Sequence, residues 1–156
     1  MKLQVAADWV EGPLKALVSD ARVEIAVLMH PTGQVLGQYG FARSVDVVTA
    51  CALGAAIHAS SSELGRQLDG KPFVGMHYAG PTKQIFLAPV PIADGLLLLL
   101  AVFDEESSLG LVQLFFKEFS TAVARVAPEY KGAEAALATD FEGELNKNLA
   151  AMFGRS

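Results

Sequence analysis

Three histidines, one cysteine and a serine triplet are the residues of this 156-residue chain whose types could do chemistry. His30 falls in a turn, His58 in a helical stretch and His77 in a strand, and no two stand at the spacing of a metal-ligand pair. Cys51 lies one turn into a helical stretch, with no neighbouring histidine or basic residue to lower its thiol pKa, so an inert structural thiol is expected. Ser60-Ser61-Ser62 resembles a nucleophile only in composition, since it lies mid-helix among small residues. No loop of the GxxxxGK type is present to cradle a phosphate. The expectation is therefore a protein that is not an enzyme, with no catalytic residue, no cofactor and no metal. What remains is the chemistry of association.

Composition points the same way. Apolar residues make up 52 % of the chain and charged ones 19 %, and the mean hydropathy is +0.36. Small monomers rarely expose large apolar patches, so the surplus should be covered by another chain. The formal charge of −5, with no basic cluster, argues against nucleic acid or anionic lipid as a partner. A single cysteine excludes an internal disulfide and fits a reducing compartment. The N-terminal MKLQVAADWVEGP lacks the apolar core of a signal peptide. These features together predict a cytoplasmic protein that binds no membrane and no nucleic acid.

The elements that would position such an associating surface are organised around Gly95–Asp104, GLLLLLAVFD. Nine consecutive apolar residues are too few to span a bilayer, which takes about 20. They show no polar face for an amphipathic helix, but they suit a strand buried on both faces. Asp104-Glu105-Glu106-Ser107-Ser108 then offers hydroxyl and acidic groups to the start of a helix. Upstream, Leu14, Leu17 and Val18 follow Gly12-Pro13 at helical spacing, predicting a short helix that starts at the proline and ends near Asp20. Val23–Met29 and Val35–Tyr39 form a hairpin about His30-Pro31-Thr32-Gly33. Ser44 can cap a long helix, Val45–Leu68. Phe73–Tyr78 reads as an edge strand and Lys83–Val90 as its return, with Pro89 and Pro91 limiting how far that fourth strand can pair. Leu109, Val112, Phe115, Phe116, Phe119, Val123 and Val126 mark a helix to about Ala127. The fold class is α+β: a single five-stranded, mostly antiparallel sheet with helices on its faces, in the order α-β-β-α-β-β-β-α.

Two features look outward from this domain. In the long helix, Ala50, Leu53, Ile57, Leu64 and Leu68 share a face that should lie on the sheet. The opposite face carries Val48, Cys51, Ala52, Ala55, Ala59, Ser62 and Arg66, small and nearly uncharged, where two backbones could approach closely. Beyond residues 1–127, residues 128–156 read as a linker and an amphipathic tail helix. Thr139-Asp140-Phe141-Glu142 has capping-box spacing, and Phe141, Leu145, Leu149, Met152 and Phe153 form one stripe, which suits either a tail that folds back on its own domain or a detachable arm that docks on a partner.

The central strand and its cap, LLLLAVFDEESSLGLVQL, together with the hairpin VEIAVLMHPTGQVLGQYG and the helix beginning Val45-Asp46, resemble the Roadblock (dynein light chain type) family over about residues 10–126. Within it the likeness is to the MglB group, bacterial partners of a small Ras-like GTPase. The resemblance implies a homodimer joined through the edge strand, Phe73, Val74, Gly75, Met76, His77 and Tyr78, and through the long helix. It further implies that the paired helices meet the GTPase at Val48, Cys51, Ala52, Ala55, Ala59, Ser62 and Arg66. Hydrolysis would be stimulated by repositioning the GTPase's own switch regions, without an arginine finger. The tail would contact the partner and affect nucleotide exchange. Roles in cell polarity and gliding motility are implied as well. The alternative is a scaffold of the same fold that tethers partners without changing GTPase activity.

Overall fold

The computed structural model describes residues 2–43, 45–72, 75–93 and 95–127. Along the chain these form α1 (Lys2–Ala21), β1 (Ile25–Met29), β2 (Val35–Gly40), α2 (Val47–Asp69), β3 (Met76–Ala79), β4 (Gln84–Ile92), β5 (Gly95–Phe103) and a final helix, α3, over residues 109–127. The strands make one antiparallel sheet in the order β2-β1-β5-β4-β3. The apolar run thus becomes the middle strand, paired with β1 on one side and β4 on the other. Its alternate residues serve two cores. Leu97, Leu99, Ala101 and Phe103 pack with residues of α1 and α3, while Leu98, Leu100 and Val102 pack with α2. Helices on both faces are what allow a strand to have no polar side.

The junction after β5 is built from its polar residues. The Asp104 carboxylate accepts from the Glu106 amide at 2.9 Å, and the Ser108 hydroxyl oxygen accepts from the Leu111 amide at 3.2 Å. Ser108 therefore caps α3. The Ser107 hydroxyl donates to the carbonyl of Ala21, which ties the end of α1 to the start of α3. At the hairpin's far end, Gly40 has φ +96° and any Cβ there would stand 2.2 Å from the Glu24 carbonyl oxygen. Only glycine fits that crossing.

Three expectations are corrected. Pro13 does not open α1 but lies inside it, so Trp9 and Val10 belong to the helix. An interior proline costs about 3 kcal/mol, and here it is offset by a stripe that runs unbroken across it: Val10, Leu14, Leu17 and Ala21 are all buried. Ser44 lies outside the described residues, and the cap of α2 is Asp46. Its carboxylate takes the Thr49 hydroxyl at 2.7 Å and the Thr49 amide at 3.5 Å, and these contacts hold its pKa below the usual carboxylate value. Finally, β4 pairs with β5 through Pro89 and Pro91 as far as Ile92. On its other side β3 reaches only to Leu87, so a proline ring beyond that point can face a free strand edge.

Candidate functional site

None of the chemistry-bearing residues converge. The His30 ring shares a 3.0 Å hydrogen bond with Thr32 in the hairpin turn, His77 bonds Gln84 at 2.7 Å on the neighbouring strand, and His58 lies 3.4 Å from Ser62 within α2. Among the described residues no group of three or more His, Cys, Asp or Glu side chains could hold a metal ion. Cys51 is fully buried, and desolvation pushes its thiol up to about 11. Burial, and secondarily the charge of Arg66, lowers the His58 pKa. Each of these groups is accounted for by its local partners or its burial.

The surface with a specific character is α2, and it is turned about its axis relative to the sequence reading. The residues of α2 buried against the sheet are Cys51, Gly54, Ala55, Ser62 and Gly65, spaced 3, 1, 7 and 3 apart along one helical face. Cys51, Ala55 and Ser62, expected on the contact face, are thus covered by the chain's own sheet. Close approach explains the choice. A Cβ on Gly54 would stand 3.1 Å from the Met29 side chain, and one on Gly33 would stand 3.3 Å from the Ala52 Cα. The helix lies too near β1 and its turn for leucines to be interposed. The large face expected on the sheet is instead split: Ala50 and Ile57 pack partly into the core, while Leu53, Leu64 and Leu68 point outward, 60 %, 52 % and 72 % exposed. Of the expected contact residues, Val48, Ala52, Ala59 and Arg66 remain exposed. Arg66 is held by Glu63 at 3.1 Å, an open i, i+3 ion pair of small energetic consequence.

Length and apolarity alone would let α2 cross a bilayer. Its buried small-residue stripe shows it seated on the sheet instead.

Beside α2 runs the sheet edge. β3 covers Met76–Ala79, shorter than the Phe73–Tyr78 expected, and it is the outermost strand as anticipated. Gly75 precedes it, and Phe73 and Val74 lie outside the described residues. Met76 connects edge and helix, its sulfur accepting from the Ser61 hydroxyl at 2.6 Å. Tyr78 is exposed. The tail residues Phe141, Leu145, Leu149, Met152 and Phe153 also lie outside the described residues. The structure therefore brings together an open strand edge and a leucine-bearing helix face. Gly54 and Gly65, which share the buried stripe with Cys51 and Ala55, were the signal in the sequence for the side of α2 that meets the sheet.

No protein-family model matches the chain, and no curated protein sequence matches it. Solved structures do. The gliding protein MglB of Thermus thermophilus is 26 % identical, with a TM-score of 0.69 over 80 % of this chain and 92 % of that one. An MglB with a tetrameric arrangement is 25 % identical, with a TM-score of 0.69 over 77 % and 88 %. A Roadblock/LC7 domain from Streptomyces avermitilis is 18 % identical, with a TM-score of 0.63 over 77 % and 96 %. The open five-stranded sheet, with one helix on one face and two on the other, thus has the Roadblock-like fold, and the chain is similar to the MglB structures over most of their length.

Proposed function

We propose that this chain is a homodimeric, non-enzymatic regulator of a small Ras-like GTPase, acting in the cytoplasm. The observation that carries the reading is the outward face of α2. Leu53, Leu64 and Leu68, all more than half exposed, share one side of the helix beside a strand edge that is unpaired among the described residues. Water-exposed leucines in such a row are a surface awaiting a partner. Pairing two copies through β3 would extend the sheet across a two-fold axis and set the two α2 helices side by side, an isologous contact. The paired helices would then present Ala52, Ala59 and Arg66 to the GTPase. The likeness to MglB proteins supports the choice of partner.

No catalytic group of this chain would enter the GTPase site. Stimulation of hydrolysis would come from holding the GTPase switch segments in their competent arrangement, a bias between two states of the partner. When the GTPase is bound, the tail would add contacts that influence nucleotide exchange.

The test is single-turnover GTP hydrolysis by a candidate Ras-like GTPase, with and without a saturating amount of this protein. Acceleration that depends on Leu64 and Leu68 supports the proposal. Tight binding with an unchanged hydrolysis rate would instead favour the tethering scaffold.

A further inference from the structure

We infer that the C-terminal segment 141–153 of this chain docks in a groove on its own domain, between α3 and the β3–β4 corner of the sheet. The inference does not rest on the GTPase reading. On the face that carries α1 and α3, α1 covers β1 and β2, while β3, at the sheet's other edge, makes its principal contacts with β4 alone among the described elements. α3 is anchored over β4 by an edge-to-face contact of Phe116 on Phe86, with ring centroids 5.2 Å apart. Beyond that contact lies a groove of about 810 Å³. Its sheet wall includes His77, Phe86 and Ala88, and its helix wall includes Gly110, Leu114 and Lys117. Leu114 is 55 % exposed there, and the missing side chain of Gly110, with nothing within 4 Å of where its Cβ would be, widens the opening. A trough between a helix and a strand, apolar within and carrying a lysine, is shaped for one more amphipathic segment.

The chain itself supplies a segment of that kind. It continues for 29 residues past Ala127, and Ala127 is fully buried on the face that bears the groove. Phe141, Leu145, Leu149, Met152 and Phe153 fall on a single helical stripe. A helix of about 13 residues is marginal in water unless that stripe is covered. Reach is ample: the return from Ala127 to Leu114 along α3 is about 20 Å at 1.5 Å per residue. The intervening residues 128–140 extend to at most about 43–47 Å. Charge agrees too, since Glu142 and Glu144 would come near Lys117 in a groove that has no acidic side chain among its described lining residues.

The experiment is amine-directed cross-linking of the full chain between Lys117 and Lys147, read by mass spectrometry. Light- and heavy-nitrogen chains are mixed in equal amounts and equilibrated until subunits exchange. Docking on the chain's own domain gives a Lys117–Lys147 link within single-isotope chains. It also gives amide hydrogen exchange over 141–153 that is slower than for an unprotected peptide. Leu114→Glu, at an exposed site that leaves the fold intact by circular dichroism, should reduce the link at least fivefold and speed that exchange. A link found chiefly between unlike isotopes would assign the groove to a second copy's tail and overturn the inference. So would tail exchange at the unprotected rate, or a link unchanged in Leu114→Glu.

Discussion

Replacing Leu53 and Leu64 together by Glu separates the outward face of α2 from its buried one. Both leucines are more than half exposed, so the isolated domain loses little when they go. Glutamate is as good a helix former as leucine, which leaves α2 itself unweakened. In a two-fold dimer each substitution counts twice, so four leucines are lost from the contact. Burying a leucine fully is worth about 1.5–3 kcal/mol, and roughly half of each remains to be buried by a partner, so the loss is about 3–6 kcal/mol. That corresponds to a dissociation constant raised at least about 10²-fold, before the cost of desolvating four carboxylates is added. Sedimentation velocity across a concentration series measures the dimer, and thermal unfolding followed by circular dichroism measures the domain. A dimer of unchanged affinity in a folded double variant refutes the assignment of this face to self-association. A collapse of the fold would mean that the leucines, and not Cys51 and Ala55, face the sheet.

Ala55→Glu is the converse experiment: it places an unpaired charge against the sheet, destabilising the domain by about 3–5 kcal/mol, while Ala59→Glu leaves the unfolding temperature nearly unchanged. Gly40→Ala forces a side chain into the Glu24 carbonyl at a positive φ and should cost more than about 2 kcal/mol, read by chemical denaturation. Cys51 should resist an exposed-thiol reagent in the folded protein and react at once in denaturant. Because burial raises its pKa to about 11 from 9.0, the folded state favours the protonated thiol, so its contribution is complete below pH 9 and is lost as pH climbs towards 11. Arg66→Ala should weaken binding of the GTPase while the hydrolysis rate at saturation falls less than about tenfold, because a trans-acting arginine finger would account for about 10³–10⁵.

The parts of the fold that were legible in the sequence are those decided by local pattern. The central strand declared itself because Leu96–Phe103 has no polar residue to put outside. The hairpin was marked by Pro31 and Gly33, and α3 by its aromatic stripe. What resisted reading was decided by distance between elements. The large leucines of α2 look like core residues by size, yet the approach of Gly54 to Met29 leaves space only for small ones. Pro13 looks like a helix start until the burial of Val10, three residues before it, is known. Both misreadings arise where tertiary packing overrides a single-residue preference. Of the face expected to look outward on α2, Val48, Ala52, Ala59 and Arg66 are exposed, while Cys51, Ala55 and Ser62 are buried.

The middle position of β5 also sets a timetable for the nascent chain. β1 and β2 can zip as soon as they leave the ribosome, but the other long edge of β1 has no neighbour until residues 95–103 have been synthesised. Some 65 residues of chain, including all of α2, must therefore wait beside a half-built sheet. Pairings so far apart in sequence close slowly, since the loop entropy is lost before any contact rewards it. The piece that completes the fold, GLLLLLAVF, is a β-prone run free of charge and proline and therefore the segment most prone to pair between copies while uncovered. Two features confine that hazard to a short interval: Asp104-Glu105-Glu106 follows immediately as an acidic gatekeeper, and the partner strand β4 is only two residues upstream. The late-made strand thus emerges already joined to a hairpin mate, and inserting that pair beside β1 is the step that closes the domain.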